Sequence, residues 1–179
     1  MKKDNIPLIN GSCYYLKILT VTDITKTYVE WLNDDEVMRF TEQNNSNHTF
    51  ETVERFVDDC YKSNNTYLFG MFTFEDAHFG NIKLGPINLQ ENEADISYVI
   101  GNKEMWGKGL ATEIISQIVD FAFNSINLRR IYAGTYTRNI GSLKALKNND
   151  FLELEFLKNN SDSDKKIDTI RLFRENSKG

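Results

Sequence analysis

Residues 94–124 constrain this chain most. Ala94 to Ile100 alternates with period two, so Ala94, Ile96, Tyr98 and Ile100 share one face and Asp95, Ser97 and Val99 the other, as in a half-buried strand. From Leu110 to about Asn124 the period becomes helical: Leu110, Ala111, Ile114, Ile115, Ile118, Val119 and Ala122 form one stripe. Between them lies Trp106-Gly107-Lys108-Gly109. A strand that turns over glycines straight into an amphipathic helix must lay that helix back on its own sheet, so a layered α/β architecture is expected.

Such a junction presents unpaired N–H groups and the positive end of a helix dipole, which suits an anion. One dipole contact is worth about 0.3–1 kcal/mol, up to about 2 when partly buried, so a ligand with several phosphate oxygens gains most. The alternative is a turn that merely joins strand to helix. Two familiar phosphate loops fail by counting. A P-loop needs four residues between its first glycine and Gly-Lys-Ser/Thr, whereas five separate Gly101 from Gly107 and Lys108 is followed by Gly109. A dinucleotide fingerprint needs glycine where Thr112 stands and an acidic residue where Arg129 and Arg130 lie.

The remaining pattern gives a strand at Tyr14–Leu19 and a helix capped by Thr22 or Asp23 that carries Ile24, Tyr28, Trp31 and Leu32. A second helix from Thr49 has Val53, Phe56, Val57, Cys60 and Tyr61 on one stripe, after a polar loop over Thr41–Asn47. Strands at Tyr67–Phe74 and Phe79–Leu89 form a hairpin about Glu75–His78, where a solvated His78 is expected. Arg130–Thr137 reads as a strand and Asn139–Asn149 as a helix. Strands at Phe151–Leu157 and Ile167–Phe173 flank a polar linker and form a closing hairpin. No repeat or long linker divides the chain, so one domain over residues 1–179 is expected, with a frayed tail from about 175.

Composition narrows the partners. The 179 residues are 40% apolar and 26% charged with net charge −5. Lys and Arg are scattered, which argues against nucleic acid, and no run approaches the roughly 20 apolar residues of a membrane span. The start, MKKDNIPLING, has no apolar region of a leader, so a cytoplasmic location is expected. Cys13 and Cys60 are too few and too separated for a disulfide framework or zinc site, and no metal is expected.

The segment Trp106-Gly107-Lys108-Gly109-Leu110-Ala111 resembles the acetyl-CoA pyrophosphate loop of the GNAT acetyltransferases, Q/R-x-x-G-x-G/A, with Gly109 and Ala111 matching and Trp106 at the Q/R place. Tyr28-Val29-Glu30-Trp31-Leu32-Asn33-Asp34 and Asn139-Ile140-Gly141-Ser142 occur in the same order in the branch of the ribosomal-protein alanine acetyltransferases, so the resemblance covers most of the chain. It implies an α/β (α+β) fold: a mixed, mostly antiparallel sheet splayed between strands four and five, with helices on both faces. It also implies acetyl-CoA as co-substrate, with Val99, Ile100 and Gly101 bonding pantetheine and Trp106, Gly107, Lys108, Gly109, Leu110 and Ala111 wrapping the pyrophosphate. Asn139 would touch the cofactor or cap its helix.

For catalysis, the resemblance makes Asp95 the first choice of base, against a solvated strand carboxylate, with Glu93 the weaker alternative. The tyrosine that many GNAT enzymes use as acid is replaced by Leu146. Ser142 matches a hydroxyl that could serve instead, or caps its helix. Asp150-Phe151 stands where the family has Gly-Phe, and a left-handed Asp is tolerated there. By analogy Tyr28, Trp31, the loop 41–48 and Tyr136 line the acceptor pocket, although Trp31 also reads as core. The expected activity is N-acetylation of a small-molecule primary amine. His78–Pro86, HFGNIKLGP, together with Ala94-Asp95-Ile96, resembles members that modify amino sugars, which implies a free or nucleotide-linked amino sugar, with a protein amino terminus, a polyamine or an aminoglycoside as alternatives. A silent CoA-binding module is the rival of another class, and the protein is expected as monomer or homodimer.

Overall fold

The computed structural model describes residues 3–41, 47–158 and 168–177. An eight-stranded sheet has the order β1-β2-β3-β4-β5-β6-β8-β7. The strands are β1 (Ile9–Asn10), β2 (Tyr14–Ile18), β3 (Tyr67–Thr73), β4 (His78–Asn88), β5 (Glu93–Ile100), β6 (Arg130–Tyr136), β7 (Leu152–Leu157) and β8 (Thr169–Glu175). Every neighbouring pair is antiparallel except β5 and β6. The short β1 raises the numbering by one, so the expected splay between strands four and five falls between β5 and β6.

Helices cover both faces. α1 (Lys26–Leu32), α2 (Asp35–Met38) and α3 (Phe50–Lys62) lie on one side, where Ile24, Tyr28, Trp31, Val53, Val57 and Cys60 pack on Leu19, Leu68 and Phe72. α4 (Leu110–Asp120), continued by a π-helical turn at Phe121–Ser125, and α5 (Ile140–Lys147) take the other. There Leu110, Ile114, Ile115, Ile118 and Leu146 pack on Tyr14, Leu16, Phe69, Ile82, Ile96 and Ile131. The alternation of β3 explains the two cores, because Tyr67, Phe69 and Met71 serve one and Leu68 and Phe72 the other.

Local chemistry sets the helix starts. Thr25, not Thr22 or Asp23, caps α1, accepting from Tyr28 N at 3.2 Å. Val21–Asp23 is a separate 3-10 turn closed by its own Thr20–Asp23 capping box, so two similar Thr-led signals compete within six residues. Thr49 caps α3, the helix expected to begin there. α2 escaped the sequence reading because four residues carry no periodicity; its cap, Asp34, accepts from Glu36 N and Val37 N. Most of the loop expected at 41–47, the polar linker and Ile167 lie outside the described residues.

One correction concerns the chain's later part, where the expected closing hairpin of β7 and β8 forms. β8 runs through Glu175, and Asn176 Nδ2 and N donate to Leu128 O at 3.1 Å and Arg129 O at 2.9 Å, so the backbone is held beyond the point where a tail was expected. β8 also inserts between β6 and β7. Asp150 takes φ 58° after α5, the left-handed conformation anticipated for it. Asp150→Gly should therefore stabilise the protein by up to about 1 kcal/mol, raising Tm by roughly 2–4 °C. A thermal melt checks this, and a lower Tm would show that the exposed Asp150–Arg174 pair outweighs the relieved strain.

Candidate active site

The parallel ladder of β5 with β6 runs from Glu93↔Arg130 to Ile96↔Ala133 and stops. Beyond it β5 continues to Ile100, still paired with β4 as far as Gly80↔Ile100, and β6 continues to Tyr136, still paired with β8. The facing edges of Ser97–Ile100 and Gly134–Tyr136 thus diverge and leave a seam in mid-sheet. Main-chain polar groups on a strand edge need partners, so this seam is a place for a ligand that offers amides or carbonyls.

Because β5 and β6 are parallel, the helices that follow them begin at the same end of the seam. α4 starts with Gly109 as N-cap at φ 79°, after Gly107 at φ 73°. Both are left-handed, a conformation that costs an L-residue about 1–2 kcal/mol, and a Cβ at either would meet nothing within 4 Å. These glycines are required by the turn itself and leave open space in front of it. Among the described residues α4 is the one α-helix without a side-chain cap; α1, α2, α3 and α5 are capped by Thr25, Asp34, Thr49 and Asn139. Thr112 N and Glu113 N bond to Gly109 O, while the Leu110 and Ala111 amides belong to the end that has no intrahelical acceptors. The Leu110 side chain is buried, so what it can offer a ligand is its N–H. Lys108 is exposed beside this mouth.

The mouth is rigidly placed. Trp106 Nε1 donates to Ile100 O at 2.8 Å, so the residue expected to wrap a pyrophosphate braces the loop against β5. Gly101 lies under Trp31, where a Cβ would come within 2.1 Å of the indole. Buried Asn149 donates to Thr112 O and Ala145 O, each at 2.9 Å, and pins α5 to the first turn of α4. Glu113 accepts from Ser12 N and Oγ at 2.7 Å. Lys103 joins the β5–α4 connection to Asp34 and Glu36, both at 2.8 Å.

Asn139 Oδ1 accepts from Ser142 N at 3.2 Å, so Asn139 is a helix cap at the seam's end. Ser142 is itself capped through its N–H. Burial raises the Tyr98 phenol above its ordinary value. Leu146 is buried core. Asp95 lies in the closed part of the ladder, opposite Tyr132, with Oδ1 on Arg171 at 3.0 Å. Asp95 and Ser142 belong to opposite faces of the sheet and are not in contact. Glu93 is engaged by Arg129 and Arg130 at the far end of β5.

On the α1 face an open cleft of about 1140 Å³ borders the end of β5 at Gly101–Glu104. It is lined by Trp31, Phe72 and His78 and by four carboxylates, Asp23, Asp34, Asp76 and Glu104, against two lysines, Lys17 and Lys103. Trp31 is both core and cleft wall. Tyr28 is buried beneath it, at 2% exposure, so it supports the wall rather than presenting a surface. Tyr136 is not among the residues of this cleft; it meets Phe40 on the β6 side, ring centroids 6.4 Å apart. Sequence reasoning missed Phe40 because an isolated aromatic after a short helix has no pattern around it.

His78 is not the solvated turn residue expected. Its ring stacks on Phe72 at 4.7 Å and packs against Tyr28 and Trp31. Nε2 donates toward Gly80 O (3.0 Å) and Asn81 Oδ1 (2.9 Å), and Nδ1 is buried with no hydrogen-bond partner among the described residues. Burial pushes its pKa down from 6.5. The unfolded chain therefore takes up a proton near pH 6.5 that the folded chain refuses, so stability falls as pH drops through 6.5 toward the folded value, by up to about 1.4 kcal/mol per unit. Urea unfolding of the parent and His78→Gln between pH 7.5 and 5 should show this component in the parent alone; identical slopes would contradict it.

A seam between two parallel strands, with two helix mouths at one end and one mouth uncapped, suits an elongated ligand with an anionic end. The family comparison makes this specific. The profile described as Acetyltransferase (GNAT) domain matches residues 15–152, and the chain belongs to that family. It is 28% identical over 155 residues to the probable N-acetyltransferase YjcK of Bacillus subtilis, covering 80% of this chain and 83% of that protein. It is 34% identical over 76 residues to the uncharacterized N-acetyltransferase p20 of Bacillus licheniformis, 42% of each chain. Among solved structures, spermidine N-acetyltransferase from Vibrio cholerae in complex with CoA and spermine superposes with TM-score 0.83 at 21% identity, covering 94% of this chain and 98% of that one. Ribosomal-protein-S5-alanine acetyltransferase from Vibrio fischeri gives 0.82 at 18% identity, covering 96% and 98%. The protein is an N-acetyltransferase of GNAT fold. Among the described residues no helix is long and apolar enough to cross a membrane.

Proposed function

We propose that the protein transfers the acetyl group of acetyl-CoA to a primary amine of a small molecule, by direct attack within a ternary complex. The observation that carries this reading is the uncapped, glycine-led mouth of α4 at the end of the β5–β6 seam. In this reading the N–H groups of residues 107–111 and Lys108 hold the diphosphate. The end of β5 at Val99–Gly101 bonds the pantetheine amides through the main-chain groups not already taken by Phe79 and Trp106, and Asn139 contacts the same arm with the part of its amide not used as a cap. The thioester then lies in the seam, where an N–H of β5 donates to the carbonyl oxygen on which charge develops.

The amine approaches from the α1 face. Orientation of the two reactants supplies about 7–11 kcal/mol of the barrier reduction. Of the two carboxylates on β5, Asp95 is the nearer to the seam, and we assign it to receive the amine proton once the acceptor displaces Arg171 from it. The four carboxylates of the cleft favour an acceptor with further positive charge, such as a polyamine or a free amino sugar. They oppose a nucleotide-linked amino sugar, whose phosphates would face them.

Thermal melts with acetyl-CoA test the mouth. The parent should be stabilised, and Gly109→Trp should melt cooperatively without responding to the coenzyme; retained affinity would show that the coenzyme binds elsewhere. Thiol release across polyamines, amino sugars, aminoglycosides and peptides then ranks acceptors. Stabilisation without turnover on any amine would point to a silent CoA-binding module.

A further inference from the structure

The backbone at Gly134 does not call for a glycine. The residue lies inside β6, its φ is outside the left-handed range, and it pairs with Arg171 of β8 without a bulge. Close packing does not require it either, because a Cβ there would meet nothing within 4 Å. Glycine in a strand interior weakens the strand, and with turn, bulge and crowding set aside, close approach of a ligand is the remaining use. The position is also uncovered where a sheet is ordinarily covered: β5 and β6 stand fifth and sixth of eight strands, and parallel pairs are usually buried on both faces. Ile131 and Ala133 enter the core beneath α4 and α5, so alternation turns Tyr132, Gly134 and Tyr136 to the α1 face. Gly134 and Ser97 are both exposed there, and they follow the last ladder pair, Ile96↔Ala133, one on each strand. On this face each strand thus places its smallest side chain at the first open step of the seam. Larger groups frame the gap. Two residues before Gly134, Tyr132 has the Arg171 guanidinium over its ring at 4.6 Å, with Arg171 held on Asp95 at 3.0 Å. Two residues after it, Tyr136 meets Phe40.

We propose that Gly134, with Ser97 opposite, is the aperture through which the acceptor enters the seam from the α1 face, and that the bare Cα of Gly134 sets the bulk of the group that can carry the amine. This rests on the acetyl-CoA reading above. A straight-chain amine needs no such clearance, whereas an amine on a ring or branched carbon brings substituents on both sides of the nitrogen. The aperture therefore fits an acceptor of the second class. Asp95 precedes Ser97 by about 7 Å along β5, so a group seated over Gly134 has its nitrogen beside the carboxylate assigned to receive the amine proton. Gly134 is a specificity-determining position: it admits the acceptor and moves no proton.

The test uses Gly134→Ala, Gly134→Val and Ser97→Val, assayed by thiol release with glucosamine, whose amine is on a ring carbon, and with 1,4-diaminobutane, whose amines end an unbranched chain. Gly134→Val should melt no lower than the parent, since strand interiors favour β-branched residues over glycine, and acetyl-CoA should stabilise both alike. Its kcat/KM for glucosamine should fall by roughly 10-fold or more, mainly through the KM of the amine, with the acetyl-CoA KM within about twofold. The loss on 1,4-diaminobutane should stay within about threefold of the parent, the size of effect expected where no substituent meets the new side chain. Gly134→Ala should fall between parent and Gly134→Val, and Ser97→Val should discriminate in the same direction from the opposite wall. Unchanged glucosamine turnover in Gly134→Val, equal losses on the two amines, or a parent that uses other amines but not glucosamine would overturn the aperture while leaving acetyl transfer intact. A parent protein that releases no thiol with any amine would overturn the underlying reading and the aperture together.

Discussion

The structure depends on one interrupted hydrogen-bond ladder. β5 and β6 pair for four residues and then part, although each stays bonded to its outer neighbour. Main-chain N–H and C=O groups left on facing edges are costly unless a ligand or water satisfies them. The sheet tolerates the gap because its two halves are independently braced, by β4 on one side and β8 on the other. The parallel direction of this single pair puts the start of α4 and the start of α5 at the open end, so one topological exception creates both the slot and its two positive mouths.

The bracing around the slot explains why so many polar side chains near it bond to backbone. Asn149 fixes α5 to α4, Trp106 ties the turn to β5, Glu113 holds the segment before β2, and Lys103 draws in α2. A catalytic geometry is useful only if it does not relax when the ligand leaves, and these bonds come from elements on both faces of the sheet. The acidic cleft on the α1 face and the apolar packing beneath α4 and α5 on the other then give the seam two chemically different sides.

Much of this was legible in the sequence where a residue's local role and its tertiary role agree. The alternation of 94–100 placed Tyr98 and Asp95 on opposite faces, the glycines of 107–109 marked the turn, and Asp150 took the left-handed place of a glycine. Legibility failed where one residue type serves two purposes. Thr20-Val21-Thr22-Asp23 and Thr25 both satisfy helix-start chemistry, and only packing decides which segment continues. His78 reads as a turn residue, yet three aromatic rings from α1 and β3 enclose it. Alternation tells which face a side chain takes but not which strand lies alongside, so the insertion of β8 beside β6 and the Asp95–Arg171 pair could not be foreseen.

The central claim is that main-chain amides at the mouth of α4 grip the coenzyme's diphosphate. Amide NMR of the whole chain titrated with CoA examines it most directly. The account predicts that the largest shift changes fall on the N–H signals of Gly107, Lys108, Gly109, Leu110 and Ala111, with a second group at residues 97–101. Saturable binding that leaves those ten signals in place and moves others would contradict it.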